Sequence, residues 1–278
     1  MSARAAAAWS AACLVVVLTT SHPLYRALVL AATVTVLVAA AGLRRASPVL
    51  LAAGVAGALA AAFNLLLSHL GADVLFSLPD WLPAVGGPYT LEAMVFGLLS
   101  GVTLAAALLA VAPFAVLLEP DQVLDALPGF LQASGAAVAA ATNLVPGLGR
   151  TFRAVSDAQR LRGWRPRGPR SWGEVVIPVL LTAIEDSIQL AESMEARAFG
   201  SGPRTRLDPP RLTAAERATV AAAAAAVLLF VAALLTGTVA AWDAYPFLRT
   251  PSVSPLPVAA CLLLAIPAVW WRSPRSPA

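Results

Sequence analysis

Lysine is absent from this chain: all 19 basic residues are arginine. The absence excludes the GxxxxGK[ST] loop, whose lysine grips nucleotide phosphates. If the chain serves an energy-driven process, another chain hydrolyses the nucleotide, and this one is not expected to be an enzyme. Charge of either sign is scarce. Charged residues make up 12% of the 278 and hydrophobic residues 59%, whereas a soluble domain carries roughly 25% charge. So little charge cannot cover a water-facing surface, and lipid is the solvent that fits. Only two cysteines, Cys13 and Cys261, and two histidines, His22 and His69, occur. The cysteines lie in apolar runs, which argues against a disulfide framework or a metal site. The histidines fall near predicted membrane edges with no carboxylate or thiol cluster around them, so they read as interfacial or structural. No cofactor and no metal is expected. HExxH and GxSxG are missing too, which leaves an intramembrane hydrolase without its reacting groups.

What the sequence does have is long apolar runs. Stretches of about 20 residues cross a hydrocarbon core near 30 Å, and six are visible: 5–20, 24–42, 49–70, 90–118, 219–242 and 255–271. The period-two pattern of barrel strands is missing, so helices must satisfy the backbone in lipid. The expected fold is an all-α membrane protein of about six transmembrane helices. Four spans lie in residues 1–118, a cytoplasmic helical segment fills 119–211, and two spans follow in 212–278. The first run, preceded by Arg4, also has the outline of a signal peptide. Residues 19–23 (Thr-Thr-Ser-His-Pro) give no small-x-small cleavage site, which favours a retained helix.

Arginine placement sets the orientation. With the amino terminus inside, 17 of the 19 arginines fall inside and only Arg26 and Arg249 outside. The positive-inside rule then places both termini in the cytoplasm of a bacterial inner-membrane protein. The loop 71–89 has Asp73 and Asp80, turn formers and no arginine, as suits the outside. Trp81, Tyr89, Trp242, Trp270 and Trp271 stand near span ends, where aromatic belts form.

The central segment differs in kind. Residues 119–217 hold 11 of the 15 acidic residues and 12 of the arginines, so this stretch belongs in water. Pro120-Asp121 reads as a helix start, with Leu124, Leu127, Phe130 and Leu131 forming a short apolar stripe. A second helix is expected over about 134–162, with a break near Pro146-Gly147. An arginine-rich turn follows at 163–170. A third helix is expected over about 172–199, with Ile177, Leu181, Ile184, Ile188, Ala191 and Met194 at helical spacing. Gly200-Ser201-Gly202-Pro203 ends it.

A nine-residue pattern occurs twice in this segment. Ser156-Asp157-Ala158-Gln159-Arg160-Leu161-Arg162-Gly163-Trp164 aligns with Ala191-Glu192-Ser193-Met194-Glu195-Ala196-Arg197-Ala198-Phe199. Each copy ends a predicted helix. An arginine at a helix carboxyl end is favoured by the local partial negative charge, which explains one copy but not the same pattern twice. Small neighbours let such a tip approach a partner closely, and the guanidinium fork can then grip a carboxylate. The aromatic residue that follows offers an interface anchor. Two similar tips imply two similar receptors, as in a two-fold dimer.

At these residues the chain resembles the transmembrane T component of energy-coupling factor (ECF) transporters, a branch of ABC transporters. That family carries two Ala-Arg-Gly-type motifs at the ends of cytoplasmic coupling helices. Here they match Leu161-Arg162-Gly163 and Ala196-Arg197-Ala198, with Leu161 in place of the alanine and Ala198 in place of the glycine. His22-Pro23-Leu24-Tyr25-Arg26 resembles the family's proline-x-x-basic opening. The resemblance implies a non-enzymatic scaffold in the bilayer. It would join two cytoplasmic ABC ATPase subunits, or one fused chain, to an integral-membrane S component that binds a vitamin or metal ion. Arg162 and Arg197 would meet ATPase carboxylates. The stripe of Ile177, Ile184, Ile188 and Met194, with Leu124, Leu127 and Leu131, would face the S component or a neighbouring coupling helix. No nucleic-acid partner is expected. The reading fails if the two guanidinium groups lie far apart or are buried against lipid-facing helices.

A self-contained secondary transporter is the alternative. It would need ionisable groups at mid-membrane, yet Glu92 and Glu119 fall near the ends of one span. No inverted repeat is visible either.

Overall fold

The computed structural model describes residues 2–68, 70–79, 86–118, 132–166, 168–198, 212–239, 242–245, 247–248 and 250–271. The chain divides into two units, residues 1–122 with 211–278, and residues 123–210.

The first unit is a helical membrane body. Its helices are α1 (Ala3–Thr19), α2 (Pro23–Ala41), α3 (Leu43–Leu67) and α4 (Leu91–Val116). Four of the helices in the described residues are long and apolar enough to cross a membrane: α2, α3, α4 and Ala214–Leu235. The first expected span, α1, is shorter at 17 residues. The last expected span is a nine-residue helix, Pro255–Leu263, followed by a 3-10 turn, Ile266–Val269. Pro267, which has no amide to donate to the Leu263 carbonyl, accounts for that early end. The third span begins six residues earlier than expected. Gly42, at φ +76, joins α2 to α3 alone and draws Arg44 and Arg45 into the helix. Leu51, Leu59, Phe63 and Leu98 are each at least 62% exposed, an outward apolar surface that suits lipid.

Close helix contact in this unit rests on missing side chains. Across α3 and α4, a Cβ on Gly57 would lie 2.7 Å from the Gly101 carbonyl oxygen. One on Gly97 would lie 2.9 Å from that of Ala61. Small residues at such contacts let helix backbones meet without a hydrophobic driving force. Larger side chains fill the other core, where Trp9, Tyr25, Phe230 and Leu264 are buried. The Trp9 indole donates to the Leu264 carbonyl at 2.8 Å. That carbonyl sits where the last helix breaks and loses its regular partner, and lipid offers none.

The loop 71–89 is more ordered than turn formers imply. Strand β1 (Val74–Leu78) pairs antiparallel with β2 (Gly87–Thr90), with a bulge between Val74 and Phe76. The Glu92 carboxylate, buried on the first turn of α4, accepts the Asp73 amide at 3.2 Å and the Ala72 amide at 3.3 Å. A carboxylate there also meets the positive end of α4. Tyr89 and Trp242 are buried instead of standing in an interfacial belt, His69 and Trp81 lie outside the described residues, and His22 is buried against the Tyr25 ring at 4.1 Å.

The second unit contains α5 (Gln132–Leu161), a 3-10 turn (Pro169–Trp172) and α6 (Gly173–Ala196). The expected break at Pro146-Gly147 is absent, because α5 continues through Pro146. A proline removes one helical hydrogen bond and can be carried within a long helix. Leu124, Leu127, Phe130 and Leu131 lie outside the described residues. The chain re-enters the first unit through α7 (Ala214–Leu235), which a capping box of Thr213 and Glu216 starts. The backbone amide of Ser2 donates to the Glu216 carboxylate. Helix α8 (Pro255–Leu263) completes the described helices.

Trp9→Phe keeps the ring and removes the donor to Leu264. The orphaned carbonyl should cost about 1–3 kcal/mol, read as a lower thermal midpoint in detergent. An unchanged midpoint would show that the indole bond does not hold the break.

Candidate functional site

Both copies of the repeated pattern are helix carboxyl caps. At the end of α5 the Trp164 amide donates to the Gln159 carbonyl at 2.9 Å and the Gly163 amide to the Arg160 carbonyl at 3.0 Å. These are the two bonds of a Schellman motif, with Arg162 at the cap and Gly163 at the left-handed position after it. Gly163 has φ +87. At the end of α6, Arg197 is the cap. Ala198 donates to the Glu195 carbonyl at 2.9 Å and adopts φ +56, the one positive φ of a residue other than glycine among the described residues. Ala198 therefore takes the conformation that a glycine would take there. The repeat thus marks one local structure made twice: an arginine on the last turn, then a residue that swings the chain away.

All six predicted tip residues, Leu161, Arg162, Gly163, Ala196, Arg197 and Ala198, are exposed. Leu161 is 91% exposed. Neither Arg162 nor Arg197 forms an ion pair among the described residues, where the one salt bridge joins Arg160 to Asp157 at 3.6 Å. The guanidinium groups are not buried against other helices.

The tips are not side by side. The carboxyl end of α5 packs on the amino end of α6 through Phe152, Val155, Trp164, Val175 and Val179. Arg162 and Glu174 line one open groove at that corner. Arg197 stands at the other end of the 24-residue α6, about 35 Å away at 1.5 Å per residue. No single socket takes both arginines. The expectation that the two guanidinium groups lie close together is not met, because they sit at opposite ends of α6; docking at both tips requires two sockets at that spacing.

Trp164 is a correction. As the aromatic residue after the first arginine it was expected to anchor a partner, but it is 8% exposed and its indole donates to the Ser171 carbonyl at 2.8 Å. The hydrophobic contact it makes inside the unit is the physical reason. Its counterpart Phe199 lies outside the described residues.

The apolar stripe has two faces to be told apart. Ile177, Leu181, Ile184 and Ile188 are each at least 53% exposed, and Met194 is half-buried. Val175 and Val179, the residues that meet α5, lie on the opposite side of α6, since two positions turn a helix by about 200°. Helix α5 does not cover the stripe. Gln159 is a residue that sequence reasoning missed. Pro178 has no amide to donate to the Glu174 carbonyl four residues earlier, and the Gln159 side chain donates to that carbonyl at 3.2 Å. The interior proline was the available signal.

A family model for the cobalt transport protein CbiQ matches residues 2–207. The chain belongs to the CbiQ family. CbiQ is the T-component family of ECF transporters, so this protein is an integral-membrane component related to cobalt transport. The CbiQ match includes both arginine tips. Comparison with curated proteins gives no match.

Left-handed alanine costs about 1–2 kcal/mol. Ala198→Gly should therefore slow hydrogen exchange in the last turn of α6. Gly163→Ala, whose added Cβ meets nothing within 4 Å, should speed exchange at the end of α5. Equal exchange in both variants and the parent would contradict the cap assignment.

Proposed function

We propose that this chain is the energy-coupling scaffold of an ECF-type importer, with Arg162 and Arg197 docking on two cytoplasmic ABC ATPase subunits. The observation that carries the reading is the doubled cap: two exposed arginines, each set on a helix tip by a left-handed residue. A guanidinium fork without an ion-pair partner among the described residues suits a carboxylate in an apposed surface.

Their spacing supports two sockets. A domain of about 200–250 residues has a radius of gyration near 17 Å, hence a diameter of roughly 45 Å. Equivalent points on two adjoining domains are thus separated by the same order as the length of α6. The exposed stripe of Ile177, Ile184 and Ile188 suits an apolar partner, which this reading assigns to the S component. The family description makes cobalt or a related transition-metal ion the first cargo to test, recognised by that S component. The arginine distribution supports a bacterial inner-membrane location with both termini inside. Ionisable groups in the apolar helices cluster at their ends, as with Arg4, Arg26, Glu92 and Glu216, which gives a self-contained ion-coupled transporter little to work with.

The test is co-purification from native membranes with the tagged full-length chain. An ATPase should come with the parent chain. Arg162→Glu or Arg197→Glu should weaken its association by about 2–5 kcal/mol per lost pair while membrane insertion stays intact. A normal yield of ATPase with the double variant would remove the docking role.

A further inference from the structure

The corner that carries Arg162 is stapled to the start of α6 more firmly than a surface tip requires. Four contacts hold it. The Trp164 indole donates to the Ser171 carbonyl at 2.8 Å. The Gln159 side chain donates to the Glu174 carbonyl at 3.2 Å. The Trp164 ring meets the Trp172 ring edge-on with centroids 5.5 Å apart, and Phe152 stacks on the other part of the same assembly, 6.1 Å from Trp172. Edge-on and offset-stacked pairs of this kind add to simple burial. Each donor meets a carbonyl at the entry to α6, so the corner is fixed to that helix rather than only to α5.

A consequence follows for the arginines. One tip is fixed to the amino end of α6, and the other is the carboxyl end of α6 itself. We propose that Trp164 is a positioning residue that makes α6 a strut of set length between the two docking arginines. Gln159, Trp172 and Phe152 support it. Nothing about Arg162 itself requires the brace, because a left-handed glycine alone would terminate α5. The brace removes the freedom of the first tip relative to the second. A scaffold with a fixed span meets two sockets at once when their separation matches it, whereas a loose one must be ordered on binding. The inference rests on the docking reading for its purpose, but the strut itself is a property of this chain alone.

Spin labels at Arg160→Cys and Glu195→Cys, both on exposed positions, measure the span in the full chain reconstituted in nanodiscs. The buried Cys13 and Cys261 are replaced by alanine. The parent should give one narrow distance distribution centred near 35 Å, about the length of α6. Trp164→Ala should broaden it, while Trp164→Phe, which keeps the ring contact, should broaden it less. Gln159→Met, which removes only the second staple, provides an independent broadening should Trp164→Ala fail to fold. A broad parent distribution, or one unchanged in both Trp164→Ala and Gln159→Met, overturns the strut.

The second arm uses the ATPase that co-purifies with the tagged parent. Trp164→Ala, or Gln159→Met in its place, should lower its affinity about tenfold through the added ordering cost, although both arginines remain. Unchanged affinity with a broadened distance overturns the positioning role. The two readings fail differently. A narrow, brace-dependent span without ATPase binding by the parent removes the docking role and leaves the strut. ATPase binding by a parent with a broad span removes the strut and leaves the docking role.

Discussion

The last carbonyls of a helix have no amide partners of their own. In the second unit this constraint is met in the same way twice, by turning the residue after the cap into the left-handed region so that its amide folds back. Gly163 does so at φ +87 and Ala198 at φ +56. The position just before the turn is then the outermost point of the helix, and in both copies it is arginine. Charge at that point also complements the helix dipole. The exposure of both arginines at helix tips descends from how two helices end.

Orphaned carbonyls shape the rest of the molecule as well. At three such places a side chain fills the carbonyl left without an amide. Ser47 donates to the Arg44 carbonyl at 3.1 Å, the group that Pro48 leaves without an amide. Gln159 does the same for Pro178, and Trp9 serves the break at Leu264. In lipid such a partner matters most, since water does not substitute. In the second unit water can substitute, so the Gln159 contact is better understood as a link between α5 and α6 than as a rescue.

Most of the membrane architecture was legible in sequence. Apolar length and the near absence of charge place the spans because lipid accepts little else. Period and cap residues located α5 and α6 to within a few positions. The doubled pattern around Arg162 and Arg197 was legible as well, because a cap is a local structure with local residue preferences. What was not legible depends on contacts distant in sequence. Trp164 looked like a partner anchor because tryptophan is enriched at interfaces, and only its pairing with Ser171 and Trp172 shows it turned inward. The strands β1 and β2 were hidden because their tie to the bundle runs through Glu92, about twenty residues from the amides it binds. The spacing of the tips was unreadable for the same reason: it depends on which end of α6 receives the corner of α5.

Photo-activated cross-linkers placed at Leu161 and at Ala196 in native membranes test the central claim most directly. The account predicts that each traps an ABC ATPase subunit, and that the doubly substituted chain traps two subunits at once. Cross-links from either position to lipid, or from both to a single site on one subunit, would contradict it.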